Sequence, residues 1–373
     1  MKKKILAVIL TLAMIMTMFS GCGSKDSTYF KELKEACKIT TGTETVVVDG
    51  TYKGDVAEAP ELIKDKDGNI AFSLKMEATA ESDTKSGVKI SVKLGQEEEY
   101  SELTTFALDN KKFYITVDPI IALVKKIDPD TATQLEAGLA QMGISGAVSL
   151  DLEQLLKAVG EEYPEVSDDM KKSVYDLINN FADAMEKNFK DLEGRDGDDY
   201  TLKLNGDNAE KAVNGAVDFL KNDAKGLLES AKTLISDVYG EDGEMVKTAL
   251  ESYDELIDEL PDAAKEVEDN KDDAVKAIKD NNLEMISKIQ VSGKEGSREA
   301  KLTFESGNIK IEDSELQISV NCDFKEGKAE VKDLIPENAS DITTMLVTML
   351  NQMSNLGADT SDLGGTDDGL TIE

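Results

Sequence analysis

The chain reads as an α+β protein: a curved antiparallel sheet built from both ends of the sequence, with a large helical block packed on its concave face. Three observations lead there. Apolar residues recur with period two between residues 43 and 117, with helical spacing between 118 and 281, and with period two again from 285. Strands distant in sequence that bracket a helical block fit most simply into one sheet completed by both ends. No repeat of fixed period runs through the chain.

Residues 28–40 form a short amphipathic helix, with Phe30, Leu33 and Cys37 along one stripe. Val46, Val47 and Val48 then mark a first strand within 43–52, and the polar stretch 53–68 is a loop. Ile70, Phe72, Leu74, Met76 and Ala78 alternate with polar or small neighbours, as do Val88, Ile90, Val92 and Leu94. Such strands have one wet and one buried face. Residues 103–108 and 113–117 follow as strands joined through Asp109-Asn110, a tight hairpin signal. Residues 43–117 are thus an antiparallel meander.

The helical block starts sharply. Asp118-Pro119 and Asp128-Pro129 each place an N-cap acid before a proline at the first helical position, opening helices over 120–127 and 131–142. Asp151 with Gln154 forms a capping box, and Ser167 caps a longer helix with Leu177, Phe181, Met185 and Phe189 on one face. After the break at 194–199, Tyr200, Leu202 and Leu204 make a short strand. Residues 207–281 return to helix, with Pro261 starting a new, highly charged and mostly solvated segment.

Strands reappear at Met285–Val291, Ala300–Phe304, Ile309–Ile311 and Leu316–Phe324, the last being the clearest alternation in the chain. Ala329, Val331 and Leu334 suggest an edge strand. A helix over 339–356 carries Met345, Met349 and Met353, and the small acidic residues 357–373 read as a disordered tail. That helix either plugs one side of the sheet or lines an adaptable apolar pocket, since thioethers fit irregular shapes.

Composition narrows the chemistry. The formal net charge is −34, which opposes nucleic-acid binding. Histidine and tryptophan are absent. That removes Ser-His-Asp and Cys-His nucleophile systems and imidazole metal ligands. Carboxylate pairs of the glycosidase kind remain open, but such enzymes need a cleft usually rich in aromatics, and aromatics are 5% of the chain. The expectation is a non-enzyme without cofactor or metal. Asp65-Lys66-Asp67-Gly68-Asn69 begins like a calcium loop, but Ile70 and Met76 stand where that loop needs glycine and glutamate, so it is a turn. The same holds for residues 196–199. Cys37 and Cys322 both sit on apolar faces, and either a disulfide or two buried thiols fits that placement.

The N-terminus supplies the most specific motif. Lys2, Lys3 and Lys4 precede an apolar run from Ile5 to Phe19, the pattern of a secretory signal. Its ending, Phe19-Ser20-Gly21-Cys22, resembles the lipobox of bacterial lipoproteins, with Phe19 where leucine is usual. The resemblance implies cleavage before Cys22, a diacylglycerol on its sulfur, and residence on the extracytoplasmic face of the cell membrane, as in Gram-positive bacteria. Residues 22–27 then form a polar tether. Removing residues 1–21 takes away three lysines and no acid, leaving the mature chain at −37.

The order of elements over 28–356, with the run Phe113-Tyr114-Ile115-Thr116-Val117-Asp118-Pro119, is similar to half-barrel lipoproteins: the Lol-type carriers, the actinobacterial lipid-binding lipoproteins and uncharacterised Gram-positive lipoproteins. That resemblance implies an unclosed curved sheet enclosing an apolar cavity for acyl chains. No motif places a ligand-binding residue, and the block 118–281 is longer than such a fold needs. The expected role is binding or carrying an apolar ligand, with the membrane itself as partner through the lipid anchor. The alternative is a structural or protein-interaction lipoprotein of the envelope, using the acidic helices 207–281.

Overall fold

A computed structural model describes residues 28–355 apart from 161, 164–166, 240–243 and 312–313. The expected secretory segment, Cys22, the expected tether and the expected tail therefore lie outside the described residues. The meander is as expected: β1 (Gly42–Lys53), β2 (Ile70–Ser82), β3 (Lys85–Leu94), β4 (Ser101–Asp109) and β5 (Lys112–Thr116), after helix α1 (Tyr29–Ala36). Asp109 pairs with Lys112 across the β4–β5 turn, and Asn110 takes φ 59° there, a conformation asparagine tolerates better than most residues.

Of the helices α2 (Asp118–Ile127), α3 (Pro129–Gln141), α4 (Leu152–Ala158) and α5 (Asp168–Phe189), the last three begin at their expected caps. Helix α2 does not: Val117 holds the cap position, Asp118 is the first helical residue, and no side chain caps it. The Asp128 carboxylate accepts from the Asp130 and Thr131 N–H groups, and Ser167 from the Met170 N–H. Asp151 caps α4 by accepting from the Gln154 N–H at 3.0 Å. The reciprocal half of the box is supplied from elsewhere, because the Asp151 N–H donates to Thr343 Oγ1 at 2.8 Å. The remaining elements are β6 (Ala147–Asp151), β7 (Glu193–Asp196), β8 (Asp199–Leu204), α6 (Ala209–Asn222), α7 (Ala224–Tyr239), α8 (Glu244–Asp269) and α9 (Lys271–Asp280). Then come β9 (Met285–Ser292), β10 (Glu299–Ser306), β11 (Ile309–Ile311), β12 (Ser314–Glu326), β13 (Ala339–Asp341) and α10 (Thr343–Asn355).

All the strands join one open sheet in the order β13-β6-β5-β4-β3-β2-β1-β12-β10-β9-β8-β7, with β11 also beside β12. Every pairing is antiparallel except β13–β6. The seam between the two ends of the chain is β1–β12, where Val46 faces Cys322 and Val48 faces Val320. The expected α+β class, with one sheet completed by both termini, is what the chain adopts.

Several local expectations are corrected. Residues 147–151 and 193–196 are strands, too short to show a period of their own and placed by their partners β5 and β8. Pro261 lies inside α8 instead of opening a new helix. Helix α8 passes α7 at Lys232–Asp254 (2.5 Å) and reaches α6 at Lys221–Glu268 (2.7 Å), so the proline falls between two packing partners. Residues 332–334 are a 3-10 turn, not an edge strand, and 339–341 pair with β6 before α10 begins. Helix α9 seats one face on the core through Ala274 and Ile278, while Asp272, Asp273, Lys276, Lys279 and Asp280 are exposed, as its charges led one to expect.

The core is uneven. Under the C-terminal half of the sheet, Met285, Ile289 and Leu302 are at most 1% exposed, packed with Met185, Phe189 and Val213 of the helices. The meander's apolar face differs: Val48, Leu74, Met76, Val88, Ile90 and Phe106 all remain half-buried. Phe72 is 41% exposed, its ring lying over Gly50 of β1.

Helices α5 and α6 approach so closely that a Cβ at Gly215 would stand 2.3 Å from the Asn188 carbonyl oxygen. Intrinsic propensity favours alanine over glycine in a helix by about 1 kcal/mol. Here the clash reverses that sign, and G215A is expected to destabilise by about 1–3 kcal/mol. Gly226 of α7 has open space, so G226A is expected to stabilise by about 0.5–1 kcal/mol. Urea denaturation of the pair checks the opposite signs.

Candidate functional site

The site is built where the N-terminal helix meets the sheet. Helix α1 has eight residues, too few to persist alone in water. Burial holds it: Tyr29, Phe30 and Leu33 are only 2–3% exposed. The Tyr29 hydroxyl shares a 2.6 Å hydrogen bond with Ser287 Oγ of β9, and burial drives its proton affinity far above the ordinary tyrosine value. At the other flank, the Glu193 carboxylate accepts from the Phe30 N–H at 3.4 Å, at the positive end of the helix. Burial raises the pKa of Glu193, and the neighbouring Glu186 adds to the effect.

From Cys37 the chain turns through Ile39, Thr40 and Thr41 into β1. Between this turn and the sheet lies a groove of about 290 Å³. Its walls include Ala36 and Ile39 on one side, with Ala78, Ala80 and Phe324 on the other. Cys37, Thr40, Thr41, Thr43 and Glu44 also line it. The size sits at the low end of small-molecule sites, roughly 300–1,000 Å³.

Glu44 is out of place by pattern. It shares the inward parity of Val46 and Val48, and its cross-strand partners are Ala78 and Phe324. Among the described residues it forms no ion pair. Of the cations on flanking elements, Lys38 pairs with Glu35 and Arg298 with Glu326. Burial raises the Glu44 carboxyl above its ordinary value of 4.5. The folded state therefore holds this proton more tightly than the unfolded chain. Stability contributed by Glu44 is full below pH 4.5 and is lost as pH rises through the higher folded value. Glu44→Gln is thus expected to melt higher than the parent at neutral pH. The gap should close below about pH 4.5, which a thermal-denaturation series across pH tests.

The residues singled out from sequence fare differently. Cys37 lies in the groove and Cys322 is buried on β12, and no disulfide joins them. Burial, with Glu44 and Asp323 nearby, pushes the Cys322 thiol up to about 12, so at neutral pH it is protonated and a poor nucleophile. Asp65 accepts from the Asp67 and Asn69 N–H groups, as a turn does, and Asp196 pairs with Asp199 across a hairpin at Gly197. Helix α10 packs against α4 and β6, with Met349 52% exposed, and neither Met345 nor Met349 lines this groove. Sequence reading missed Glu44. The signal was present: a glutamate at position 44 with valines at 46 and 48.

No protein-family model, no curated protein and no solved structure matches this chain.

Proposed function

We propose that the chain is a membrane-anchored extracytoplasmic lipoprotein, lipidated at Cys22, that binds an apolar ligand between its sheet and helices. One observation carries the ligand reading. The meander's apolar face stays half-buried, beside a groove, while Leu202, Met285, Ile289 and Leu302 on β8, β9 and β10 of the same sheet are buried under the helices. An apolar guest gains by covering such surface, about 25 cal/mol for each Å² removed from water. In this reading the open sheet curves around the guest as a half-barrel, and the anchor keeps the site close to the bilayer. No helix of the described residues is long and apolar enough to cross a membrane.

The anchor is tested by labelling cells with a radioactive fatty acid. The parent chain should carry label and Cys22→Ser should not. The ligand is tested on the full chain carrying Cys22→Ser, by native mass spectrometry followed by organic extraction. A discrete extractable adduct supports binding; an apo mass unchanged after exposure to membrane lipids sinks it.

A second reading, a protein-interaction role, draws on α7 and α8. Helix α8 carries ten acids against two lysines in 26 residues, and Leu256 is 50% exposed. Reversing Asp254, Glu255, Asp258 and Glu259 to lysine should abolish capture of any envelope partner by the full chain. Unchanged capture removes this reading.

A further inference from the structure

We infer that the Glu44 groove selects the head of its guest, taking the ammonium group of a small amphiphilic amine with the alkyl part against Ala78, Ala80 and Phe324. The inference rests on the apolar-ligand reading and adds a charge to it. Three observations converge. Glu44 is the ionisable carboxylate among the groove's lining residues, and it stands on the inward face of β1 between Ala78 and Phe324. Among the described residues no cation pairs with it, while Lys38 and Arg298 on flanking elements are tied to Glu35 and Glu326. The groove's far wall, Ala78, Ala80 and Phe324, is apolar, a surface that an alkyl part can cover while its ammonium meets Glu44.

The chemistry favours a cation over the other two head types. A carboxylate guest meets Glu44 as a like charge in a poorly solvated place. A hydroxyl guest leaves the Glu44 charge uncompensated. An ammonium forms a charge-assisted hydrogen bond with it and offsets the cost of holding the Glu44 charge away from water. The overall charge of −34 also concentrates cations and repels anions at the surface.

The experiment compares octylamine, octanol and octanoate, each below its aggregation concentration. Each is titrated calorimetrically into the full chain carrying Cys22→Ser, so that no acyl chain of the protein's own competes. Expected is saturable one-to-one binding of octylamine, roughly tenfold or more tighter than octanol, with octanoate weakest. Adding Glu44→Gln should cut octylamine affinity to the octanol level and leave octanol unchanged. Adding Ala80→Phe, which fills the groove, should weaken both. Equal affinity for the three heads, or an octylamine preference that survives Glu44→Gln, overturns the assignment while apolar-ligand binding stands. Non-saturable uptake of octylamine, unchanged by Glu44→Gln, marks attraction to the acidic surface and also overturns it. Binding of none of the three removes both readings.

Discussion

Phe30→Ala is expected to cost about 3–5 kcal/mol, the usual range for truncating a buried phenylalanine to alanine. The ring is 2% exposed and stands edge-on to Tyr29 at 5.3 Å, an aromatic pair that adds to plain burial. It belongs to the same cluster as Met185, Phe189 and Ile289, so the cavity opens under α5 and β9 together. Little can relax to fill it, because those elements are fixed by the sheet and by one another. Helix α1 has no independent stability to fall back on. The variant should therefore release the first helix before the body unfolds. Limited trypsin digestion should cut at Lys31 or Lys34 under conditions that leave the parent intact. Urea unfolding should show the midpoint moving down by the amount stated. A variant as stable as the parent, with α1 protected, would mean that the helix is held by its caps and not by its aromatic face.

Gly42→Ala is expected to be comparably severe, about 3 kcal/mol or more, from strain and overlap acting together. Gly42 opens β1 at φ +136°, a region essentially closed to side chains. An added Cβ would lie 2.0 Å from the Lys325 carbonyl oxygen, which is backbone and cannot swing away. Relief requires the start of β1 to lift from β12, where Gly42 pairs with Glu326. Because Gly42 also lines the groove, the variant should lose ligand binding along with stability. Glu44→Gln separates the two effects, being expected to alter binding while raising stability at neutral pH. Thermal melts and amide exchange at residues 42–46 would check the local unzipping.

The readable parts of this fold were those that local chemistry decides. Caps at Asp128, Asp151 and Ser167 fixed helix starts, and alternation fixed the long strands. What escaped was set by partners. Residues 147–151 have too few positions to display a period, and they are a strand because β5 offers them an edge. Pro261 argued for a helix break, yet packing of α8 against both α7 and α6 outweighs the proline's missing N–H. Charge density marked the wet face of α9, while its dry face, Ala274, Val275 and Ile278, is settled by the core on which it sits. The candidate site was legible only as a violation. Glu44 breaks a run of inward apolar positions, a fact that carries weight once α1 is seen to leave open space there.

The seam between β1 and β12 imposes an order on how the chain can be made. Cys322 follows its partner Val46 by 276 residues. At about 5–20 residues per second, the ribosome needs on the order of 10–50 s to deliver the second strand after the first. Throughout that interval the meander has an unpaired edge along all of β1, with Val46, Val47 and Val48 in it, and helix α1 has no β9 to dock on. Such an edge is a template for pairing with the wrong chain. The first residues to emerge are thus among the last to be secured, and newborn chains depend on being kept apart until their final strands arrive.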